Sequence, residues 1–211
     1  MGCCGGSSAN PKASTYRGPT PWSAPETRAL RDFVRSRVVG GTQQIRTAIS
    51  WHSYDELVMW PFGFTKTDIV APMSSDDHAA FMALGRAFAA RNGYHAQQLS
   101  DIYPVDGDAT DWMYGEQHIF AFLVEMYPKG SVRMPGGFYP AAALVARETV
   151  RNREAVLPIG RSRLARVVPH VPSAAPARRV GTPSIINQSS GPSGATIWLT
   201  GTLRVEREEL L

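Results

Sequence analysis

The chain has 211 residues, of which 43% are hydrophobic, and a formal net charge of +4. This length and apolar fraction predict a globular protein with a core and exclude a fully disordered chain. No apolar run approaches the roughly 20 residues of a membrane span, and residues 1–8 lack the features of a signal peptide. The two cysteines, Cys3 and Cys4, are adjacent and cannot build a disulfide framework.

The first elements predicted along the chain are a loop, a helix and a buried strand. Residues 1–22 are rich in Gly, Ser, Pro and Thr, which predicts a loop. Ser23 is predicted to cap a helix whose apolar residues recur at helical spacing until Gly40. Residues 45–51 predict a buried strand that leads into His52.

The next elements continue the alternation of helices and strands. A second helix is predicted to begin with a cap at Ser74 or Ser75. Residues 121–124 form an apolar run of strand length that ends in Glu125, and residues 139–156 predict a third helix. Alternating strands and helices are typical of an α/β domain.

The composition changes after Pro158. Residues 159–194 are rich in Arg, Pro, Ser and Gly, and a strand-like run follows at residues 195–205. We therefore predict a domain over residues 1–158 and a largely disordered or loosely attached tail over residues 159–211. The arginines near the boundary could bind nucleic acid, but no aromatic platform is interleaved with them, and a solvated surface is the favoured interpretation.

Three segments could carry chemistry. His52 follows a strand, where open α/β sheets bind ligands, although a hydrogen-bonded structural histidine is the favoured interpretation of this segment alone. Glu125 abuts an apolar strand, which predicts either a general base with a raised pKa or an exposed strand end. Residues 102–115 hold three Asp and two Tyr and predict a binding loop.

Taken together, these segments form a more specific series. In chain order its motifs are Ser50-Trp51-His52-Ser53-Tyr54, Trp60-Pro61-Phe62-Gly63-Phe64-Thr65, Ile102-Tyr103, Thr110-Asp111-Trp112-Met113-Tyr114-Gly115 and Phe122-Leu123-Val124-Glu125. The order, and the 22 positions from Tyr103 to Glu125, resemble zinc carboxypeptidases of the carboxypeptidase A and T type. The resemblance covers roughly residues 2–158, and its early stretch, within residues 2–27, looks like the bacterial T-type branch. It implies a mixed β-sheet flanked by helices.

The resemblance also implies roles for individual residues. In that family two His and one Glu hold a catalytic zinc, and the third of these ligands falls on His52. The general base falls on Glu125. The residues matched to substrate contacts are Tyr103, Ser53, Tyr54, Thr110 and Asp108. The substrates implied are the C-termini of peptides and proteins, and Thr110 with Asp108 suggests mixed side-chain specificity.

The sequence departs from the family where the rest of the zinc site should be. The upstream His-x-x-Glu motif, which supplies the other two ligands, occurs nowhere in the chain, and the upstream Asn-Arg pair and a further Arg have no counterpart. We therefore expect an N-terminally truncated carboxypeptidase domain that binds zinc poorly and lacks peptidase activity alone. The alternatives are an enzyme active only as a longer chain and a non-catalytic remnant that binds ligands. Family members are usually secreted, which predicts an extracellular location.

Overall fold

A computed structural model of the protein describes residues 5–130, 138–161 and 195–200. A hairpin of two short strands, β1 (Val38–Val39) and β2 (Thr42–Gln43), precedes the main sheet. The strands of the main sheet are β3 (Ile45–Ser53), β4 (Leu57–Trp60), β5 (His95–Gln98), β6 (Phe120–Met126) and β7 (Ala195–Thr200). The helices are α1 (Pro25–Arg35), α2 (Ser75–Asn92), a short 3-10 turn (Leu99–Asp101), α3 (Ala109–Gln117), α4 (Ala142–Arg153) and α5 (Leu157–Arg161).

The main sheet is mixed, as expected from the resemblance. Its strand order is β5-β4-β6-β3-β7. Strand β3 runs parallel to both β6 and β7, whereas β4 runs parallel to β5 and antiparallel to β6. None of the helices in the described part of the chain is long and apolar enough to cross a membrane.

Helices cover both faces of this sheet. On one face, the side chains of Phe122 and Val124 in β6 join a core with Phe81 and Phe88 of α2. On the other face, Ala121 of β6 packs in a second core to which α1 and α3 contribute. Strand β6 is therefore buried on both sides, which explains its uninterrupted apolar run.

Helix α2 follows its sequence signals closely. The side chain of Ser74 accepts a hydrogen bond from the Asp77 N–H at 3.1 Å, and Gly93 ends the helix with a positive φ of 75°. Both features match known capping chemistry. Helix α1 differs from its prediction, because its N-cap is Ala24 rather than Ser23 and it ends at Arg35. Gly40 and Gly41 instead form the turn of the β1–β2 hairpin, with a positive φ of 55° at Gly40.

The segment predicted as one binding loop, residues 102–115, divides into a loop and helix α3. Gly107 has a positive φ of 79°, and Asp108 then caps the helix by accepting hydrogen bonds from the N–H groups of Thr110 and Asp111. The loop prediction is therefore wrong for residues 109–115. Aspartate is a strong N-cap, and this local signal outweighed the abundance of turn-forming residues.

The predicted tail is described only in part. The strand-like run is confirmed for residues 195–200, whose backbone pairs with β3. Residues 162–194 and 201–211 lie outside the described residues, so the expected disorder there stays a prediction. The predicted boundary at residue 158 falls inside α5, and the side chain of Ile159 is buried in the core beneath α2.

Candidate functional site

His52 and Glu125 are direct neighbours on adjacent parallel strands. The register of β3 and β6 pairs Trp51 with Val124 and His52 with Glu125. Since side chains alternate along a strand and paired residues share a face, His52 and Glu125 project from the same face. The preceding pair, Trp51 and Val124, packs into the core beneath α2 on the opposite face. The two residues predicted to carry the chemistry therefore meet at the carboxyl ends of neighbouring strands.

The imidazole of His52 is held by its own strand. Ser50 lies two residues earlier on the same face, and its Oγ is 2.9 Å from Nε2 of His52. This contact leaves Nδ1 as the ring nitrogen directed to other partners. Burial lowers the pKa of His52, and the charge of Asp108 opposes that shift. The lowered pKa favours the neutral imidazole, which is the form that binds metal ions.

Glu125 lies in an environment that raises the pKa of its carboxyl. Burial and, to a smaller extent, the charge of Asp55 raise the pKa of its carboxyl from 4.5 to about 7. Its Oε2 is buried, and no hydrogen-bond partner for it is found among the described residues. A carboxylate whose pKa lies near neutrality exchanges protons efficiently with a reacting group at that pH.

Asp55 is a contributor that the sequence did not reveal. The N–H groups of Asp55 and Glu56 donate to the carbonyl of Met126 at 3.0 and 3.3 Å, so the turn after β3 is tied to the end of β6. The Asp55 carboxylate also accepts a hydrogen bond of 2.6 Å from the Gly130 N–H. These contacts hold a second negative charge near Glu125. In the sequence, the one feature that could have drawn attention to Asp55 is its position directly after the His52 motif.

Two predicted substrate-binding residues directly follow His52. Ser53 is the last residue of β3, and Tyr54 begins the turn. The ring of Tyr54 packs edge-on against that of Phe138, with 5.0 Å between centroids. A third predicted residue, Tyr103, lies in the loop before α3, where its side chain is 63% exposed. Tyr103 is therefore open to contact with a ligand.

Thr110 and Asp108 have clear structural roles at the start of α3. Thr110 is only 1% exposed, its N–H donates to the Asp108 carboxylate at 2.7 Å, and its hydroxyl contacts the same oxygen. Capping alone thus explains an aspartate at this position. Asp108 nevertheless acts electrostatically on His52, which shows that the start of α3 lies near the site. Their predicted role in side-chain specificity stays a prediction.

Asp111 joins two of the sequence motifs and was not singled out from the sequence. Both of its carboxylate oxygens accept from the Gly63 N–H at 2.9 Å, and one also accepts from the Phe64 N–H at 3.3 Å. Burial and the charge of Asp108 raise the pKa of Asp111 to about 7, against the effect of these hydrogen bonds. The presence of both motifs in one ordered series was the available sequence signal for such a contact.

The residues present do not fit a complete zinc site. A zinc site in a protein needs at least three side-chain ligands. Within residues 5–130 and 138–161, no group of three His, Cys, Asp or Glu side chains could hold a metal ion. Of the three predicted ligands, the chain supplies the imidazole of His52.

Comparison with known proteins identifies the same family over most of the chain. Residues 2–155 match the zinc carboxypeptidase family. A zinc carboxypeptidase of Saccharothrix mutabilis subsp. capreolus is 46% identical over 124 residues, which are 59% of this chain and 28% of that protein. Human mast cell carboxypeptidase A is 33% identical over 128 residues, or 57% of this chain and 28% of that protein. The chain therefore spans less than a third of the length of these curated relatives.

Solved structures show the same fold. Bovine thrombin-activatable fibrinolysis inhibitor, solved in complex with tick carboxypeptidase inhibitor, matches with a TM-score of 0.65 and 24% identity. The match covers 77% of this chain and 52% of that one. Carboxypeptidase A from Helicoverpa armigera matches with a TM-score of 0.59 and 17% identity over 75% of this chain and 39% of that chain.

Proposed function

Because the chain belongs to the zinc carboxypeptidase family, we propose that it provides the general base and one metal ligand of a metallocarboxypeptidase. The observation that carries this proposal is the pairing of His52 with Glu125 on one face of the sheet. The proposed reaction is hydrolysis of the last peptide bond of a peptide or protein, and the proposed location is extracellular.

Glu125 is the proposed proton carrier. Its carboxylate would take a proton from the attacking water and pass it to the amine that leaves. A pKa of about 7 supports this role, because the group then accepts and releases a proton near neutral pH. The buried Oε2 supports this role further, because no described residue forms a hydrogen bond with that atom.

His52 is the proposed metal ligand. The Ser50 hydroxyl contacts its Nε2, so Nδ1 of the neutral ring is the nitrogen that would donate its electron pair to the metal. The described residues place no complete set of metal ligands around His52, so the other two ligands would have to come from elsewhere. For that reason we propose that this polypeptide, alone, holds zinc weakly and does not hydrolyse peptides.

The proposed substrate contacts surround this pair. Tyr103 is the proposed partner of the terminal carboxylate, supported by the exposure of its side chain. Ser53 and Tyr54 are proposed to line the substrate upstream of the cut, since they directly follow His52 in the chain. Thr110 and Asp108 are proposed to influence which side chain is accepted, with Asp108 favouring cationic ones.

A second candidate is a non-catalytic protein that retains the cleft for binding. The absence of a three-ligand cluster among the described side chains favours it. The two candidates differ in the DNA upstream of the Met1 codon. An in-frame His-x-x-Glu followed by Asn-Arg would support the enzyme, whereas stop codons there in every frame would support the binding protein.

We expect the purified 211-residue chain to bind less than one equivalent of zinc and to show no turnover. The physical reason is that one imidazole cannot replace three ligands. Zinc content after dialysis, measured by mass spectrometry, and release of C-terminal Phe, Leu, Lys or Arg from matched peptides check this expectation. Stoichiometric zinc together with turnover would refute it, and would show that groups beyond the described residues complete the site.

A further inference from the structure

The N-terminal segment packs tightly against the loop that carries Tyr103. A Cβ atom on Gly6 would lie 2.5 Å from the carbonyl oxygen of Pro104, 2.7 Å from the N of Asp106 and 2.8 Å from Cα of Val105. All three are backbone atoms, so they cannot move aside as a flexible side chain would. Only glycine permits this approach, and the two segments lie backbone against backbone.

Hydrogen bonds join the same two segments. The N–H and the hydroxyl of Ser7 both donate to Oδ2 of Asp106, at 3.1 and 3.0 Å. Bonds of this kind to a carboxylate are stronger than those between neutral groups. The N-terminal segment also folds back on itself, because the Ser8 N–H donates to the Thr15 carbonyl at 2.9 Å.

The neighbouring residue of the loop is tied through Gly63 to helix α3. The Val105 N–H donates to the Gly63 carbonyl at 2.9 Å, and the Gly63 N–H is held by Asp111. The loop is thus fixed at two consecutive residues, 105 and 106. Tyr103 lies just before these anchors and projects with most of its side chain exposed.

We propose that Ser7 and Asp106 are positioning residues, which fix the resting place of the Tyr103 loop from the N-terminal side. This inference rests on the proposed role of Tyr103 in binding the substrate carboxylate. The pair acts through the loop backbone and not by contact with a ligand. Losing the pair removes the bonds from Ser7 to residue 106, while the bond from the Val105 N–H to the Gly63 carbonyl remains.

The test uses Ser7→Ala and Asp106→Ala in the full chain, with Ser8→Ala as the matched control. The Ser8 hydroxyl accepts a hydrogen bond from the Asn10 N–H within the N-terminal segment. Amide hydrogen exchange at Val105, followed by NMR, reports the opening of the loop. We expect Asp106→Ala, which removes both bonds, to exchange this amide faster by roughly tenfold. Ser7→Ala should have a smaller effect in the same direction, because its N–H still donates to Asp106, and Ser8→Ala should leave the exchange unchanged.

A second readout separates positioning from general destabilisation. In protein labelled with 3-fluorotyrosine, the Tyr103 resonance, assigned with Tyr103→Phe, should shift in Ser7→Ala while the resonances of the other tyrosines do not. Asp106→Asn retains one carbonyl acceptor and should restore part of the Val105 protection.

Unchanged Val105 exchange and an unchanged Tyr103 resonance in both Ser7→Ala and Asp106→Ala would overturn the proposal. So would an equal change in Ser8→Ala. Neither readout needs zinc or turnover, so failure of the peptidase proposal and failure of this positioning role are distinguishable.

Discussion

Replacing Glu125 with glutamine is expected to stabilise the domain at pH 8 and to leave its stability at pH 5 much less changed. The folded protein raises the pKa of this carboxyl from 4.5 to about 7. Between these values the folded state binds more protons than the unfolded state, so stability falls as the pH rises through this range and is constant above it. At 1.36 kcal/mol per pKa unit, the loss is on the order of 3 kcal/mol, and glutamine does not ionise.

Urea unfolding at pH 5 and pH 8 measures this effect. The matched control is Glu116→Gln, which changes the same functional group on an exposed part of α3. The Glu125 variant should retain the part of the pH dependence that comes from Asp111, whose pKa is also raised to about 7, so its pH dependence is reduced relative to the parent without vanishing. The same pH dependence in the parent protein and in Glu125→Gln would contradict the assigned environment of Glu125.

Replacing Phe81 with alanine is expected to destabilise the domain by about 3–5 kcal/mol. Phe81 of α2 is fully buried, and its ring centroid lies 4.6 Å from that of Phe120, 5.0 Å from that of Tyr114 and 5.4 Å from that of Phe122. Removing the ring leaves a cavity beneath β6, the strand that carries Glu125. The cost therefore includes both lost burial and unfilled space.

The matched control for this prediction is Tyr139→Ala. It removes an aromatic ring of similar size from a side chain that is 80% exposed, and should change the unfolding free energy by about 0.5 kcal/mol or less. Chemical denaturation of both variants provides the comparison. Equal effects would show that α2 does not pack on the sheet as described.

The sequence predicted the strands of the site but not their pairing. The apolar runs before His52 and Glu125 identify both strands by ordinary burial patterns. Their register joins residues 73 positions apart in the chain, and no local pattern encodes which strands become neighbours. Only the resemblance of the ordered motifs indicated that the two side chains would meet.

Contacts between distant segments were beyond sequence reasoning. Asp111 binds the N–H groups of the Gly63 loop, and Ser7 binds Asp106 across 99 positions. An isolated Asp in a turn-rich segment has many local explanations, and its partner is visible only after folding. Asp108 shows the converse, since its capping bonds are local and could have predicted the start of α3.

Cross-linking of introduced cysteines tests most directly whether residues 52 and 125 share one face. In a chain with Cys3 and Cys4 changed to serine, His52→Cys with Glu125→Cys should form a disulfide on mild oxidation, because neighbouring strands lie about 4.8 Å apart. Trp51→Cys with Glu125→Cys places the thiols on opposite faces and should remain reduced. A disulfide in the second pair but not in the first would contradict the arrangement on which the proposed function depends.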